Sequence, residues 1–179
     1  LEGTTGQVRF CGTATQGHGS NGVGGLSVAA DLNGNGTQEV ITGKTAYSAS
    51  GAILWDFPAR SDGYVAVGNF DSDANPEFAM VSQGEVYRLN TGGSETWGVP
   101  VNGGGAGGPP TIANCDSDPE PEIGVAGRTK YTVYDVATGA VVWSNDISEA
   151  SSSRTGSSVF DFDGDGQEEI VYNDENTLF

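Results

Sequence analysis

The sequence predicts an all-β fold of short antiparallel strands joined by tight turns. Two features of composition point this way: 29 of the 179 residues are glycine, and aromatic residues make up 9%. Glycine suits turns, and aromatic residues are enriched in strands. No segment shows the sustained 3.6-residue apolar period of an amphipathic helix. The length fits one domain with its own core.

A third observation, internal repetition, orders the strands. Four segments share one plan: a short apolar run, an acidic loop, a glutamate and a second apolar run. They are SVAADLNGNGTQEVITG at 27–43, VAVGNFDSDANPEFAMV at 65–81, PTIANCDSDPEPEIGVA at 110–126 and SSVFDFDGDGQEEIVYN at 157–173. Aligned on the first aspartate of each loop, the repeats recur at about 40–45 residues, a period typical of propeller blades.

The first three repeats each continue into a third strand, a turn and a strand that carries tryptophan. These tryptophans are Trp55, Trp97 and Trp143. Because they occupy one position in each repeat, we expect them to pack between neighbouring units rather than to bind ligand. A repeat of four strands predicts a β-propeller of four-stranded antiparallel blades.

The ends of the chain are out of phase with the repeats. LEGTTGQVRFCG at 1–12 aligns with YDVATGAVVWSN at 134–145, with Phe10 in the tryptophan position. The sequence therefore predicts one propeller domain or segment over 1–179. Its repeats are 25–57, 64–98, 109–144 and a composite blade of 1–12 with 157–179.

Two arrangements of these repeats remain open. The ends could pair and close a ring of four blades, which removes exposed sheet edges. Alternatively, the chain is part of a seven- to eight-bladed ring, completed by a second copy, as a homodimer, or by a partner fragment.

The charge of the chain excludes some classes of partner. The formal net charge is −17, which would repel nucleic acid. No apolar run is long enough to cross a bilayer, so no membrane insertion is expected. The opening residues do not resemble a signal peptide, so an exported protein would be represented here by a mature or excised segment.

Acidic residues on alternate positions of the loops predict a bound divalent cation. Carboxylates this close repel each other unless a positive charge offsets them. Calcium takes six to eight oxygen ligands, which alternate residues of a tight loop can supply together. Gly36 and Gly166 would permit the sharp backbone turn. No cluster of cysteine and histidine suggests zinc.

With these loops, the chain resembles the FG-GAP/VCBS repeat family, the calcium-binding blades of integrin-α-like β-propellers. The family's most specific mark is the loop D-x-D-x-D-G-x-x-[DE], and the resemblance covers essentially the whole chain. The fourth loop fits the mark fully, and the first keeps it with asparagines in place of two aspartates. The second and third loops, counted from their first aspartates, are two residues shorter and contain proline.

The resemblance implies a calcium site in each loop. In the first loop the expected ligands are Asp31, Asn33, Asn35, Thr37 (by its carbonyl) and Glu39. In the second they are Asp71, Asp73, Asn75 and Glu77, and in the third Asp116, Asp118, Glu120 and Glu122. In the fourth they are Asp161, Asp163, Asp165, Gln167 (by its carbonyl) and Glu169. An alternative is an Asx-type turn whose acids only accept bonds from backbone amides.

We find no catalytic constellation in the sequence. The one histidine, His18, lies in a glycine-rich connection without a nucleophile context. The glycine run at 103–108 lacks the lysine and hydroxyl residue of a phosphate-binding loop. Cys11 and Cys115 are expected to be free, because they fall on outer and inner strands, too far apart for a disulfide.

These observations favour a non-catalytic calcium-binding module for recognition or adhesion, located outside the cell or at its surface. The ligand would be a glycan or a protein, and its binding residues are unknown. Candidate contact segments are the connections 13–24, 58–63, 98–108 and 146–156. Two alternatives remain: the propeller body of a calcium-dependent polysaccharide lyase, and a self-assembling structural repeat.

Overall fold

The computed structural model describes residues 2–11, 26–57, 59–150 and 155–179. In these ranges the chain forms fourteen β-strands and no helix, which confirms the all-β class. It follows that no helix in the described ranges could cross a membrane.

Each of the first three repeats forms one four-stranded antiparallel sheet, with the strands in chain order. The first sheet contains β1 (Ser27–Ala30), β2 (Glu39–Thr42), β3 (Thr45–Tyr47) and β4 (Ile53–Asp56). The second contains β5 (Tyr64–Gly68), β6 (Glu77–Ser82), β7 (Glu85–Leu89) and β8 (Glu95–Pro100). The third contains β9 (Thr111–Ala113), β10 (Glu122–Ala126), β11 (Lys130–Tyr134) and β12 (Val141–Asp146).

The fourth repeat forms a smaller sheet of β13 (Ser158–Phe160) and β14 (Glu169–Val171). After β14 the chain turns back, and the Phe179 amide donates to the Tyr172 carbonyl at 2.8 Å. Residues 2–11 contain no named strand, and the predicted composite blade of 1–12 with 157–179 stays a prediction.

The hydrophobic core lies between successive sheets. One cluster joins the first two sheets and includes Ile41 and Phe78. A second cluster joins the second and third sheets and includes Val81 and Ile123. Since β6 and β10 are each buried along their whole length, the central strands read as nearly continuous apolar runs.

The sheets follow one another as an open row. Contacts between inner strands join β1 to β5, β5 to β9 and β9 to β13. No comparable contact joins β13 back to β1 within the described ranges. The closed four-bladed ring is therefore not observed.

A repeated joint connects neighbouring sheets. Trp55, on the outer strand of the first sheet, stacks on Phe78 of the second, with ring centroids 5.0 Å apart and an interplanar angle of 3°. Its ring also covers Gly93, where a Cβ atom would lie 2.6 Å from Cδ2 of Trp55. The expected packing of tryptophan between units is confirmed for Trp55, and Trp143 departs from it because that residue is 38% exposed.

Trp97 makes the same joint with the third sheet. A Cβ atom at Gly139 would lie 2.9 Å from Cε3 of Trp97. The Trp97 Nε1–H donates to the Val136 carbonyl at 2.8 Å. In both joints the outer-strand ring rests on the glycine turn of the following sheet, so only a residue without a side chain fits there.

We predict that Gly139→Ala destabilises the protein more than Gly104→Ala. Both glycines have positive φ, 74° and 73°, so both substitutions carry the left-handed penalty of roughly 1–2 kcal/mol. Only the alanine at 139 also meets a tryptophan ring, because nothing lies within 4 Å of a Cβ at Gly104. The clash adds about 1–3 kcal/mol. Denaturant unfolding measures both losses, and equal losses would contradict the joint.

Candidate metal centres

The four acidic loops connect the first and second strands of the four sheets. Cross-strand pairing fixes their length, because each closing glutamate lies opposite the last residue before the loop. The pairs are Ala30 with Glu39, Gly68 with Glu77, Ala113 with Glu122 and Phe160 with Glu169. All four loops therefore have the same number of residues.

The expectation that the second and third loops are two residues shorter is wrong. The strand pairing aligns Asn69 and Asn114, rather than Asp71 and Asp116, with the opening aspartate of the first loop. Asp71 and Asp116 thus hold the third position, which is Asn33 in the first loop. Each of these two loops opens with an asparagine that the sequence analysis did not count as a ligand.

The closing glutamate is anchored in the same way in every loop. Its Oε2 accepts a hydrogen bond from the backbone amide seven residues earlier, at 2.6–2.9 Å. The donors are Leu32 to Glu39, Phe70 to Glu77, Cys115 to Glu122 and Phe162 to Glu169. This bond holds a carboxylate under each loop.

Burial of these glutamates without a cation is costly. Glu77 is 3% and Glu122 is 2% exposed. Loss of water raises the pKa of both carboxyls, and the neighbouring acids Asp71, Asp73, Asp116 and Asp118 raise it further. A positive charge in the loop would remove this penalty.

Backbone amides hold the opening aspartates. Asp161 accepts from the Gly164 amide at 2.6 Å and from the Gly166 amide at 3.0 Å. Asp31 accepts from the Gly36 amide at 2.6 Å, and this bond is the main reason that its pKa is lowered. The Asx-type bonds of the alternative interpretation are therefore present.

The next two aspartates of the fourth loop each keep a carboxylate oxygen for a metal ion. Asp163 Oδ1 accepts from the Asp165 amide and Asp165 Oδ1 from the Gln167 amide. A carboxylate has two oxygens, so the turn bond leaves a second oxygen that can coordinate a cation.

Three of the loops bring three acids together. In each group one ligand oxygen per residue lies within 4.8 Å of the others. The groups are Asp71, Asp73 and Glu77; Asp116, Asp118 and Glu122; and Asp161, Asp163 and Glu169. The first loop combines two acids, Asp31 and Glu39, with Asn33 and Asn35. These acidic groups could hold a metal ion, and each ligand assignment stays a prediction.

One buried oxygen in the third loop is a further candidate ligand for such an ion. The Asn114 side-chain nitrogen donates to the Asp118 carbonyl at 3.2 Å, which leaves its Oδ1 as the acceptor. That oxygen is buried and has no hydrogen-bond partner. An unsatisfied buried acceptor costs about 1–3 kcal/mol, and a cation bound by Asp116, Asp118 and Glu122 would satisfy it.

Asn69 holds the equivalent position in the second loop. Its side-chain nitrogen donates to the Asp73 carbonyl at 3.0 Å. The sequence contains a signal for both asparagines, because each lies eight residues before a closing glutamate. Counting from the glutamate, rather than from the first aspartate, would have found them.

A protein cation already occupies the edge of the second loop. Arg88 Nη2 lies 3.1 Å from Oδ2 of Asp71, and the Arg88 side chain is 11% exposed. In the third sheet the equivalent residue, by cross-strand pairing, is Val133. The second loop is thus partly neutralised, whereas no lysine or arginine of the described ranges forms an ion pair with an acid of the third loop.

Neither cysteine is in a disulfide among the described residues, as expected. Cys115 lies beside the third loop, and burial, followed by the repulsion of Glu122 and other acids, raises its pKa to about 12. The thiol therefore stays protonated, and oxygen atoms dominate the potential ligands of this loop.

Several expected contact residues lie outside the described ranges. These are His18, segment 13–24, Pro58 and residues 151–154.

No protein-family model matches the chain, and no curated protein matches it. Among solved structures, the chain is similar to the V. cholerae biofilm matrix protein Bap1, with a TM-score of 0.67 and 17% sequence identity. The match covers 83% of this chain and 52% of the Bap1 chain, so it spans about half the length of that structure. The chain therefore shares the fold of part of this biofilm matrix protein.

We predict that Arg88→Met increases the affinity of the second loop for calcium by roughly tenfold, because a fixed positive charge beside Asp71 opposes the ion. Calorimetric titration with calcium measures this change. Arg60→Met is the matched control, since Arg60 also pairs with a carboxylate, that of Glu95 at 2.9 Å, and lies over the ring of Tyr87. The same gain in both variants, or none in Arg88→Met, would contradict a cation site in this loop.

Proposed function

We propose that the chain is part of a calcium-stabilised β-propeller that binds a glycan or a protein outside the cell. The observation that carries the proposal is the recurrence of one loop geometry in four successive sheets. In the third loop, the three acids lie within 4.8 Å of one another, and the opening residue Asn114 of the same loop has a buried side-chain oxygen without a hydrogen-bond partner. A calcium site in each loop is what the resemblance to FG-GAP/VCBS repeats implies.

Calcium suits the chemistry of these loops. The candidate donors are carboxylate, amide and carbonyl oxygens, with no histidine and no ionised thiol among the described loop residues. Calcium accepts six to eight such oxygens in flexible geometry, whereas magnesium demands a strict octahedron and retains waters. When bound, the ion would supply positive charge to the loop. It would thereby link the first strand of a sheet to the second strand, which begins with the closing glutamate.

The row of sheets supports a propeller segment. Inner strands follow one another in chain order, and the rings of Phe10, Trp55 and Trp97 cover the glycine turns of the sheets that follow them. Because the strand order is the same in the first three sheets, their acidic loops lie at equivalent corners and would line one rim of the propeller.

Binding is favoured over catalysis. In the second, third and fourth loops, three acids lie within 4.8 Å of one another, whereas a glycosidase pair faces a sugar from two sides. The lyase alternative needs free basic residues to neutralise uronate carboxylates. Of the six lysines and arginines in the described ranges, four instead pair with carboxylates, namely Arg9, Arg60, Arg88 and Lys130. Steady release of product absorbing at 235 nm from pectic substrates would restore the lyase alternative.

The likeness to a biofilm matrix protein supports an extracellular location. Calcium is abundant there, so sites of modest affinity would be occupied. A matrix polysaccharide or a matrix protein is accordingly the class of ligand that we propose.

We predict that calcium raises the melting temperature and that EDTA lowers it. Saturation at a hundred times the Kd of one site would add about 2.7 kcal/mol to the free energy of unfolding. Glu122→Gln should lose part of this calcium-dependent gain, because one carboxylate ligand is removed. Asp146→Asn, which changes an exposed acid outside the loops, should retain it. Equal melting curves with calcium and with EDTA would argue against the sites.

We predict that the protein binds a defined group of acidic or neutral glycans on an array when calcium is present, and that EDTA abolishes the signal. The reason is that calcium orders the rim that would present the ligand contacts. Glu122→Gln with calcium should give a weaker signal than Asp146→Asn. A blank array under both conditions would reject the glycan version of the proposal.

A further inference from the structure

One of the repeated contacts between an outer-strand aromatic ring and a glycine turn is incomplete among the described residues. Trp143 pairs with Val133 across the third sheet, as Trp97 pairs with Arg88 in the second. It therefore holds the position of an outer-strand joint residue, yet it is 38% exposed. Its ring borders a cavity of about 130 Å³, whose other lining residues include Tyr131, Ile147, Ile170, Tyr172 and Phe179.

The opposite end of the row carries a glycine turn without an aromatic ring. The Gly6 amide donates to the Glu2 carbonyl and the Glu2 amide to the Gln7 carbonyl, both at 2.7 Å. In the third sheet, the Gly139 amide donates to the Asp135 carbonyl and the Asp135 amide to the Ala140 carbonyl, both at 2.8 Å. The two turns have the same hydrogen-bond pattern.

The glycines of these two turns also match. Gly6 has φ 67° and Gly139 has φ 74°. A Cβ at Gly139 would strike Trp97, but nothing among the described residues lies within 4 Å of a Cβ at Gly6. Gly6 thus lies in a turn of the kind that an aromatic ring covers in the other joints, but no described ring covers it. Trp143 lies in the position of a covering ring, but no described glycine turn lies against it.

Within the described ranges, the Gly6 turn and Trp143 do not meet. Phe10, at the end of the Gly6 turn, packs on the first sheet, where a Cβ at Gly51 would lie 2.5 Å from its Cδ2. Trp143 lies against the fourth sheet at the other end of an open row.

We propose that the Gly6 turn of a second copy of this chain docks on Trp143, so that copies associate head to tail. The contact continues the interface already formed by Phe10 with Gly51, Trp55 with Gly93 and Trp97 with Gly139. Such an interface uses two different surfaces of each copy, and it closes into a ring when the rotation between copies permits. The proposal does not depend on the ligand of the proposed function.

Net charge opposes this association. Each copy carries −17, so the contact must form where salt screens long-range repulsion and calcium reduces the charge. The test is accordingly made in 150 mM salt with calcium.

The experiment is sedimentation velocity over a range of protein concentrations. The wild-type chain is expected to associate, and Gly6→Asn and Trp143→Ser are expected to weaken association at least tenfold. Asparagine tolerates positive φ, so Gly6→Asn keeps the turn but places a side chain where the ring must lie. Gly3→Asn, in the same exposed turn with nothing within 4 Å of its Cβ, is the matched control. Val142→Ser, on the strand of Trp143 and 39% exposed, is the second control.

Mixing the two variants tests the head-to-tail geometry. A mixture of Gly6→Asn and Trp143→Ser can form one intact contact, between the Gly6 turn of the Trp143→Ser copy and the Trp143 ring of the other. Heterodimers should therefore appear that neither variant forms alone. A wild-type chain that stays monomeric at 200 μM, or association unchanged by Gly6→Asn, would overturn the proposal. No described residue lies within 4 Å of a Cβ at Gly6, so the Gly6→Asn result stands even if Trp143→Ser fails to fold.

Discussion

The contact between an outer-strand aromatic ring and the glycine turn of the following sheet organises this molecule. A four-stranded sheet with two apolar faces cannot be stable alone, because both faces must be covered. Trp55 and Trp97 provide this cover at the outer strands, while Phe78 and Ile123 fill the space between the central strands. Since the contact needs a bare backbone on one side, glycine at Gly93 and Gly139 is as important as the tryptophan.

The acidic loops reduce the stability that this packing provides. Each places a closing glutamate under the loop, where Glu77 and Glu122 are almost completely buried among other acids. Apolar burial and strand pairing hold the carboxylates in place, and their mutual repulsion opposes that arrangement. The second loop relieves the repulsion with Arg88. Among the described residues, no lysine or arginine pairs with an acid of the third loop, and there the Asn114 oxygen lacks a hydrogen-bond partner. The loops thus differ in how much they would gain from calcium.

The same joint links the interior of the molecule to its ends. Within the row, each ring finds its turn in the next sheet. At the ends, Gly6 and Trp143 present the two halves of the contact without each other. The apolar contact that stabilises the row is therefore also the contact that we propose for association between copies.

The sequence by itself determined the strands, their grouping into four repeats and the position of the tryptophans, because alternation, turn residues and the repeat period are local properties. It did not determine the register of the second and third loops. N-F-D-S-D and D-S-D both show alternate polar residues, and only the pairing of Gly68 with Glu77 and Ala113 with Glu122 assigns the first position to Asn69 and Asn114. Nor did it show that Trp143 is exposed while Trp55 and Trp97 are partly covered. Those features depend on which sheet lies beside which, and contacts between residues distant in the chain decide that.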